Sequence, residues 1–264
     1  MKKEETHRVL VTGASGGIGL AIAEEFARGG HALLLVARRE DRLAAEAQRL
    51  TDQYGVKADY IAADLTDPGA PSRIYAATIE QDTAAPVSIL VNNAGFATYG
   101  LFHDLPPENE INLLRLNIEA LVTLSRLFLP SFVARGSGGI INVASTAAFQ
   151  PGPLMASYYA SKAFVLSFSQ ALANETARTG VTISALCPGP TESDFQQRSG
   201  MQQSRLLRMG TMSAEVVARV GVRGFFRGKP VVIPGIFNKS GAFAVRLFPR
   251  KFVTTIVRTL QSPN

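Results

Sequence analysis

Short, nearly all-apolar runs alternate along the chain with longer stretches whose apolar positions recur every three to four residues. The short runs predict strands over residues 8–11, 32–36, 59–62, 88–91, 139–144, 182–186 and 231–233. The longer stretches predict helices over 17–28, 40–53, 71–81, 108–134, 157–178 and 213–227. Strands that are apolar on both sides belong to a sheet covered on both faces. Strictly alternating βα units predict an α/β fold, a parallel, doubly wound sheet of seven strands with right-handed crossovers and helices on both faces. No repeat or low-complexity linker divides the 264 residues, so the whole chain reads as one domain. The least regular stretch, 188–212, lies beyond a strand end, where a substrate lid is expected.

Composition narrows the class. With 46% apolar and 18% charged residues, the chain has the balance of a globular protein. A single cysteine, Cys187, rules out an intrachain disulfide and fits a reducing compartment, so a cytoplasmic location is expected. No apolar signal core follows the charged start of the chain, and no uninterrupted apolar run looks long enough to span a bilayer. Charge is uneven. Residues 1–194 carry 15 Lys and Arg against 20 Asp and Glu, whereas 195–264 carry 12 against one, Glu215. A basic end of this kind is either a solvated face or a contact for something anionic: a substrate, a membrane surface or nucleic acid. No zinc, RNP-like or helix-turn-helix signature accompanies it, so nucleic acid is not expected.

The first strand runs into Thr12-Gly13-Ala14-Ser15-Gly16-Gly17-Ile18-Gly19 and then a helix. Gly13 permits a tight turn, and Gly17 and Gly19 permit close approach of a pyrophosphate and of the neighbouring strand. The helix start directs free N–H groups at phosphate. The spacing is GxxxGxG rather than GxGxxG, and no Gly-Lys-Ser/Thr follows, so a P-loop is not indicated. Where the second strand ends, an acid would accept the ribose hydroxyls of NAD; here Arg38 and Arg39 stand instead, suited to a 2′-phosphate, with Ser15 able to add a hydroxyl. NADP(H) is therefore the expected cofactor.

Tyr158 and Lys162 are four apart on a predicted helix and share a face. A neighbouring ammonium favours the phenolate, so Lys162 is expected to lower the pKa of Tyr158. Ser145 follows a predicted strand end and can hydrogen-bond a substrate oxygen.

Taken together, Thr12–Gly19, Asp64-Leu65, Asn92-Asn93-Ala94-Gly95, Asn117, Ser145, Tyr158-x-x-x-Lys162 and Pro188-Gly189 resemble the short-chain dehydrogenase/reductase family over residues 8 to about 233. The resemblance implies roles. Tyr158 exchanges a proton with the carbonyl or alcohol oxygen and Ser145 holds that oxygen. Lys162 binds the nicotinamide ribose, and Asn117 holds a water that links Lys162 to solvent. Asp64 meets the adenine amino group beside Leu65, Asn92 to Gly95 line the cofactor, and Pro188, Gly189 and Thr191 flank the carboxamide. The family often has threonine at the position of Ser193, where the hydroxyl is kept. It also commonly forms dimers or tetramers through the helices that hold Asn117 and Tyr158.

Phe96, Phe102, Phe149, Leu154, Met155 and Phe195 are candidates for an apolar pocket that takes a lipophilic ketone or aldehyde, and Arg198, Arg205 and Arg208 could hold an anionic group on it. In the basic tail, 239–264, Phe252, Val253, Ile256, Val257 and Leu260 fall on one helical face. That face either docks on anionic lipid or packs on its own domain or a partner subunit. The expected activity is an NADP(H)-dependent carbonyl reductase or alcohol dehydrogenase; the alternative is a non-catalytic NADP-binding regulator on the same fold.

Overall fold

The computed structural model describes residues 6–81, 86–192, 195, 199–201 and 210–262. Seven parallel strands form one sheet in the order β3-β2-β1-β4-β5-β6-β7. They are β1 (Arg8–Thr12), β2 (Ala32–Ala37), β3 (Ala58–Ala62), β4 (Ile89–Asn92), β5 (Gly139–Val143), β6 (Thr182–Leu186) and β7 (Val231–Val232). Successive strand residues point to opposite faces, and here both faces are covered. Val9, Val11, Leu33 and Leu35 enter one core with Ile22, Phe26 and Leu43 of the helices on that side. Leu10, Leu34, Val36 and Leu90 enter the other core with Ile74, Phe128 and Phe132. That division is why the strands read as unbroken apolar runs. The edge strand β3 is the exception: it is partly exposed and carries Asp59, which Arg8 of β1 reaches at 3.0 Å.

The helices are α1 (Gly17–Arg28), α2 (Glu40–Tyr54), α3 (Ala70–Gln81), α4 (Pro107–Leu114), α5 (Ala120–Arg135), α6 (Ala156–Glu175), α7 (Ala214–Phe226), α8 (Ile236–Ala244) and α9 (Arg250–Gln261). The predicted helix over 108–134 is not one regular helix, because a π-helical turn, Arg115–Glu119, joins α4 to α5. By length and composition the combined stretch Pro107–Arg135 could cross a membrane, its mean hydropathy reaching 1.3, although charged residues such as Glu119 and Arg126 interrupt its apolar run. It lies along the sheet instead, with Leu124, Phe128 and Phe132 in the core.

The chain builds β1, β2 and β3 outward to one edge, then crosses back to lay β4 on the other side of β1. At that reversal the connections after β1 and β4 leave in opposite directions and open a crevice at the carboxyl ends of the strands. The crevice is the feature that positions the site.

Candidate active site

Thr12, the last residue of β1, binds the two sides of the crevice together. Its hydroxyl donates to the Val91 carbonyl at 3.2 Å and accepts from the N–H groups of Asn93 and Ala94, each at 3.0 Å. Asn93 returns the link, donating from its amide to the Thr12 carbonyl at 2.9 Å. The chain then turns at Gly13 (φ 69°) and Gly17 (φ 56°), backbone states that favour glycine, and enters α1. The first-turn N–H groups of α1 have no acceptor within the helix. They face a cleft of about 1190 Å³ whose wall includes Gly13, Ser15, Gly17 and Ile18.

One end of this cleft is formed by Arg38, Arg39, Asp64, Leu65 and Ala63, at the ends of β2 and β3. The Arg38 guanidinium lies 3.9 Å from the Asp64 carboxylate, and Asp64 also accepts from the backbone and hydroxyl of Thr66. The middle is lined by Ala94, Gly95 and Phe96. The other end holds Ser145, Tyr158, Lys162, Pro188, Gly189 and Thr191. The donor set fits a phosphorylated dinucleotide: a glycine turn at a helix start, guanidinium groups at the end of β2, and a polar catalytic end one cleft-length away.

Two residues expected at the cofactor, Asn92 and Gly19, and one expected in the proton relay, Asn117, do not line the cleft. Asn92 sits at the end of β4 with its side chain on the opposite face, donating to Asn142 at 2.9 Å and Ser125 at 3.1 Å. Gly19 packs rather than contacts: a methyl group there would stand 2.4 Å from both the Gly13 carbonyl oxygen and the Asn93 amide nitrogen. Asn117, in the π turn, is buried and does not line the cleft. Its carboxamide accepts from Phe96 N–H at 3.1 Å and donates to the Phe96 carbonyl at 3.0 Å and to the Ser161 hydroxyl at 3.1 Å. Those bonds tie the β4 loop to α6.

At the catalytic end, Ser145 follows β5 and caps a short 3₁₀ turn, its hydroxyl accepting from Ala147 N–H at 3.1 Å and donating to the Pro188 carbonyl at a long 3.4 Å. Tyr158 and Lys162 lie one turn apart on α6, the ammonium 5.8 Å from the centre of the tyrosine ring. The Lys162 ammonium donates to the Val143 carbonyl at 2.8 Å. Burial brings its pKa down to about 8. Burial also pushes the Tyr158 hydroxyl up, with the Ser145 hydroxyl opposing the rise. The sign is the reverse of the sequence expectation, because desolvation of the phenolate dominates the shift. Tyr158 is therefore held as a neutral phenol, the form that donates a proton.

The buried ammonium has a measurable consequence. Lys162 titrates near 10.5 in an unfolded chain and near 8 here, so below pH 8 folding carries the cost of a buried charge. Between about pH 8 and 10.5 the unfolded chain binds the extra proton, and stability rises with pH. Lys162→Met is expected to melt above the wild type at pH 7, with the gap closing toward pH 10, as read by thermal denaturation at each pH.

Of the expected pocket residues, Phe96, Met155 and Phe195 line the cleft, and the Phe195 ring lies 5.5 Å from that of Tyr158. Phe102 does not; it is 63% exposed on a 3₁₀ turn. Phe149 packs in a separate core beside Val165 and Cys187, and Leu154, also outside the cleft wall, accepts from Gly100 N–H through its carbonyl. Ser193, Arg198, Arg205 and Arg208, with much of the expected lid, fall outside the described residues. The tail contributes what the sequence left open. Val253 and Val257 of α9 are buried against Met155 and Tyr159, so this part of its apolar face packs on its own domain, while Phe252 and Ile256 stay about half exposed. Gln261 donates to the Tyr159 hydroxyl and accepts at its carbonyl from the Tyr99 hydroxyl, each at 2.5 Å. Phe237, Phe248 and Phe252 complete the apolar wall.

Sheet order and crevice define a Rossmann-type α/β protein. The sequence profile described as short chain dehydrogenase matches residues 7–204. A short chain dehydrogenase of Pseudocercospora fijiensis is 38% identical over 188 residues, which is 70% of this chain and 60% of that protein, so the match spans under two thirds of the relative's length. Among solved structures, a short-chain dehydrogenase from Sphingobium yanoikuyae in complex with NADPH is 35% identical, with 98% of this chain and 99% of that one covered and a TM-score of 0.81. A bulky-bulky ketone specific alcohol dehydrogenase from Comamonas testosteroni is 32% identical, covering 91% and 92%, with a TM-score of 0.76. The chain belongs to the short chain dehydrogenase family, a family of oxidoreductases.

Proposed function

We propose that this protein reduces a lipophilic ketone or aldehyde with NADPH. One observation carries the reading: a single cleft joins Arg38 and Arg39 at one end to Ser145, Tyr158 and Lys162 at the other. Bound NADPH supplies hydride to the carbonyl carbon. The protein's own work is to hold the carbonyl oxygen and give it a proton. Ser145 turns its hydroxyl from the long bond to Pro188 toward the substrate oxygen, an exchange that costs little because the existing bond is weak. Tyr158, kept protonated by burial, donates to the same oxygen as negative charge grows on it. Lys162, with its proton poised near pH 8, binds the ribose hydroxyls and can return a proton to Tyr158. Gly13, Ser15, Gly17 and Ile18 hold the pyrophosphate, and Arg38 with Arg39 holds the 2′-phosphate. Asp64 and Leu65 receive the adenine, Ala94 and Gly95 the ribose side, and Pro188, Gly189 and Thr191 the carboxamide.

The apolar wall of Phe96, Met155, Phe195, Phe237 and Phe252 supports a substrate with bulky hydrocarbon on the carbonyl. The Comamonas enzyme, named for bulky ketones, and the NADPH complex of the Sphingobium enzyme agree in direction. The test is NADPH oxidation against ketones, aldehydes and β-ketoacyl thioesters of increasing apolar size. Rates that rise with hydrocarbon bulk support the reading. A preference for small, hydrophilic carbonyl compounds counts against the lipophilic substrate.

We further infer, from half-exposed Ile111, Leu114 and Phe164 on α4 and α6, that these helices pair two copies of the chain.

A further inference from the structure

The C-terminal segment leaves apolar side chains in water that nothing in the chain covers among the described residues. Ile236, Phe243 and Leu247 are spaced seven and four apart along α8 and the 3₁₀ turn that continues it, so they share one face, and all three are exposed, Leu247 at 68%. Phe237, beside them, is 89% exposed and also stands on the wall of the cleft. Phe248 and Phe252, their rings 5.6 Å apart and each about half exposed, continue the rim. Five cations, Lys239, Arg246, Arg250, Lys251 and Arg258, lie in the same segment, and residues 236–262 contain no acid.

Scattered exposed apolar residues are ordinary; a contiguous set of phenylalanine and aliphatic side chains around a cleft mouth marks a partner. The charge decides which. A second copy meeting this face about a two-fold axis would set cations against cations, with no carboxylate in the segment to relieve them. An anionic bilayer supplies what both kinds of side chain need, an apolar interior for Phe237, Phe243 and Leu247 and negative headgroups for the lysines and arginines. We propose that residues 236–258 seat the protein on an anionic membrane surface with the mouth of the cleft turned toward the lipid. A lipophilic carbonyl compound dissolved in the bilayer then enters past Phe237 and Phe248 without crossing water. The seating rests on this surface alone and stands or falls independently of the chemistry assigned to the cleft.

The test is co-sedimentation of the full chain with vesicles of phosphatidylcholine alone, or of phosphatidylcholine and phosphatidylserine at about three to one. Two variants accompany it, Ile236→Ser/Phe243→Ser/Leu247→Ser and Lys239→Glu/Arg246→Glu; none of these five side chains lines the cleft. The wild type is expected to bind the phosphatidylserine vesicles at least about tenfold more tightly than the neutral ones, with binding weakened by salt. Both variants are expected to lose that binding while keeping the wild-type circular dichroism spectrum and melting temperature. A wild type that stays in the supernatant with either vesicle overturns the proposal, as do variants that sediment like the wild type. If the wild type stays in solution and the serine variant alone falls to a smaller mass by light scattering, the face belongs to a second copy, and the membrane seating is wrong.

Discussion

Replacing Tyr158 by phenylalanine is expected to lower kcat/KM for carbonyl reduction by about three orders of magnitude while leaving NADPH affinity unchanged. A positioned general acid contributes roughly 10²- to 10⁴-fold, and here the acid is pre-set in its donating form by burial. The expected loss corresponds to about 4 kcal/mol of transition-state stabilisation. The phenyl ring keeps its packing against Phe195 and Tyr159, so the fold is not disturbed. Only a hydroxyl is removed, and it lies at the catalytic end, away from Arg38 and the glycine turn. Steady-state kinetics beside fluorescence titration of NADPH separates the two effects. A comparable loss in NADPH binding would assign Tyr158 to the cofactor instead of to the proton.

The second large effect concerns the cofactor end. Arg38→Ala is expected to raise the KM for NADPH by about 10- to 100-fold, the range that one or two charge-assisted hydrogen bonds to phosphate provide. The KM for NADH should move little, because the guanidinium has no 2′-phosphate to meet there. Arg38 lies 3.9 Å from Asp64 at the surface, a pair too exposed to hold the fold, so stability should not mask the result. Equal changes for both cofactors would show that Arg38 shapes the adenine pocket rather than choosing between phosphate and hydroxyl.

Much of this architecture was legible before the structure. The strands are apolar on both faces, a pattern that a two-sided parallel sheet produces and a one-sided sheet does not. The helix predicted over 17–28 is α1 to the residue, because Gly16 and Gly29 bracket a regular apolar repeat. The glycine turn, Arg38, Ser145, Tyr158 and Lys162 were readable because each sits at a strand end or a four-residue helical spacing, and the structure brings them to one cleft.

What was misread has physical causes. Asn92 and Asn93 are adjacent, and one residue of strand parity decides which faces the crevice; composition carries no such register. Asn93, joined to Thr12, is the one that builds the site. The π turn at Arg115–Glu119 leaves no mark in an apolar repeat that continues through it. The sign of the Tyr158 shift depends on burial, which a Tyr-x-x-x-Lys spacing does not contain. Helix α8 was missed altogether, although Pro234-Gly235 before it and the run of small and apolar residues within it were available as signals. The packing of Val253 and Val257 on the catalytic helix is a tertiary choice, and the amphipathic pattern of α9 fits a bilayer equally well.

The central claim is that hydride and proton meet at one carbonyl group in front of Ser145, Tyr158 and Lys162. Incubating the enzyme with NADPH carrying deuterium at both C4 positions and a panel of ketones, aldehydes and thioesters, then locating the label by mass spectrometry, tests it most directly. The account predicts an alcohol carrying one deuterium on the carbinol carbon, formed by the wild type and about a thousandfold more slowly by Tyr158→Phe. Tight NADPH binding with no labelled alcohol from any ketone, aldehyde or thioester would contradict it, and would favour a nucleotide-binding regulator built on the same fold.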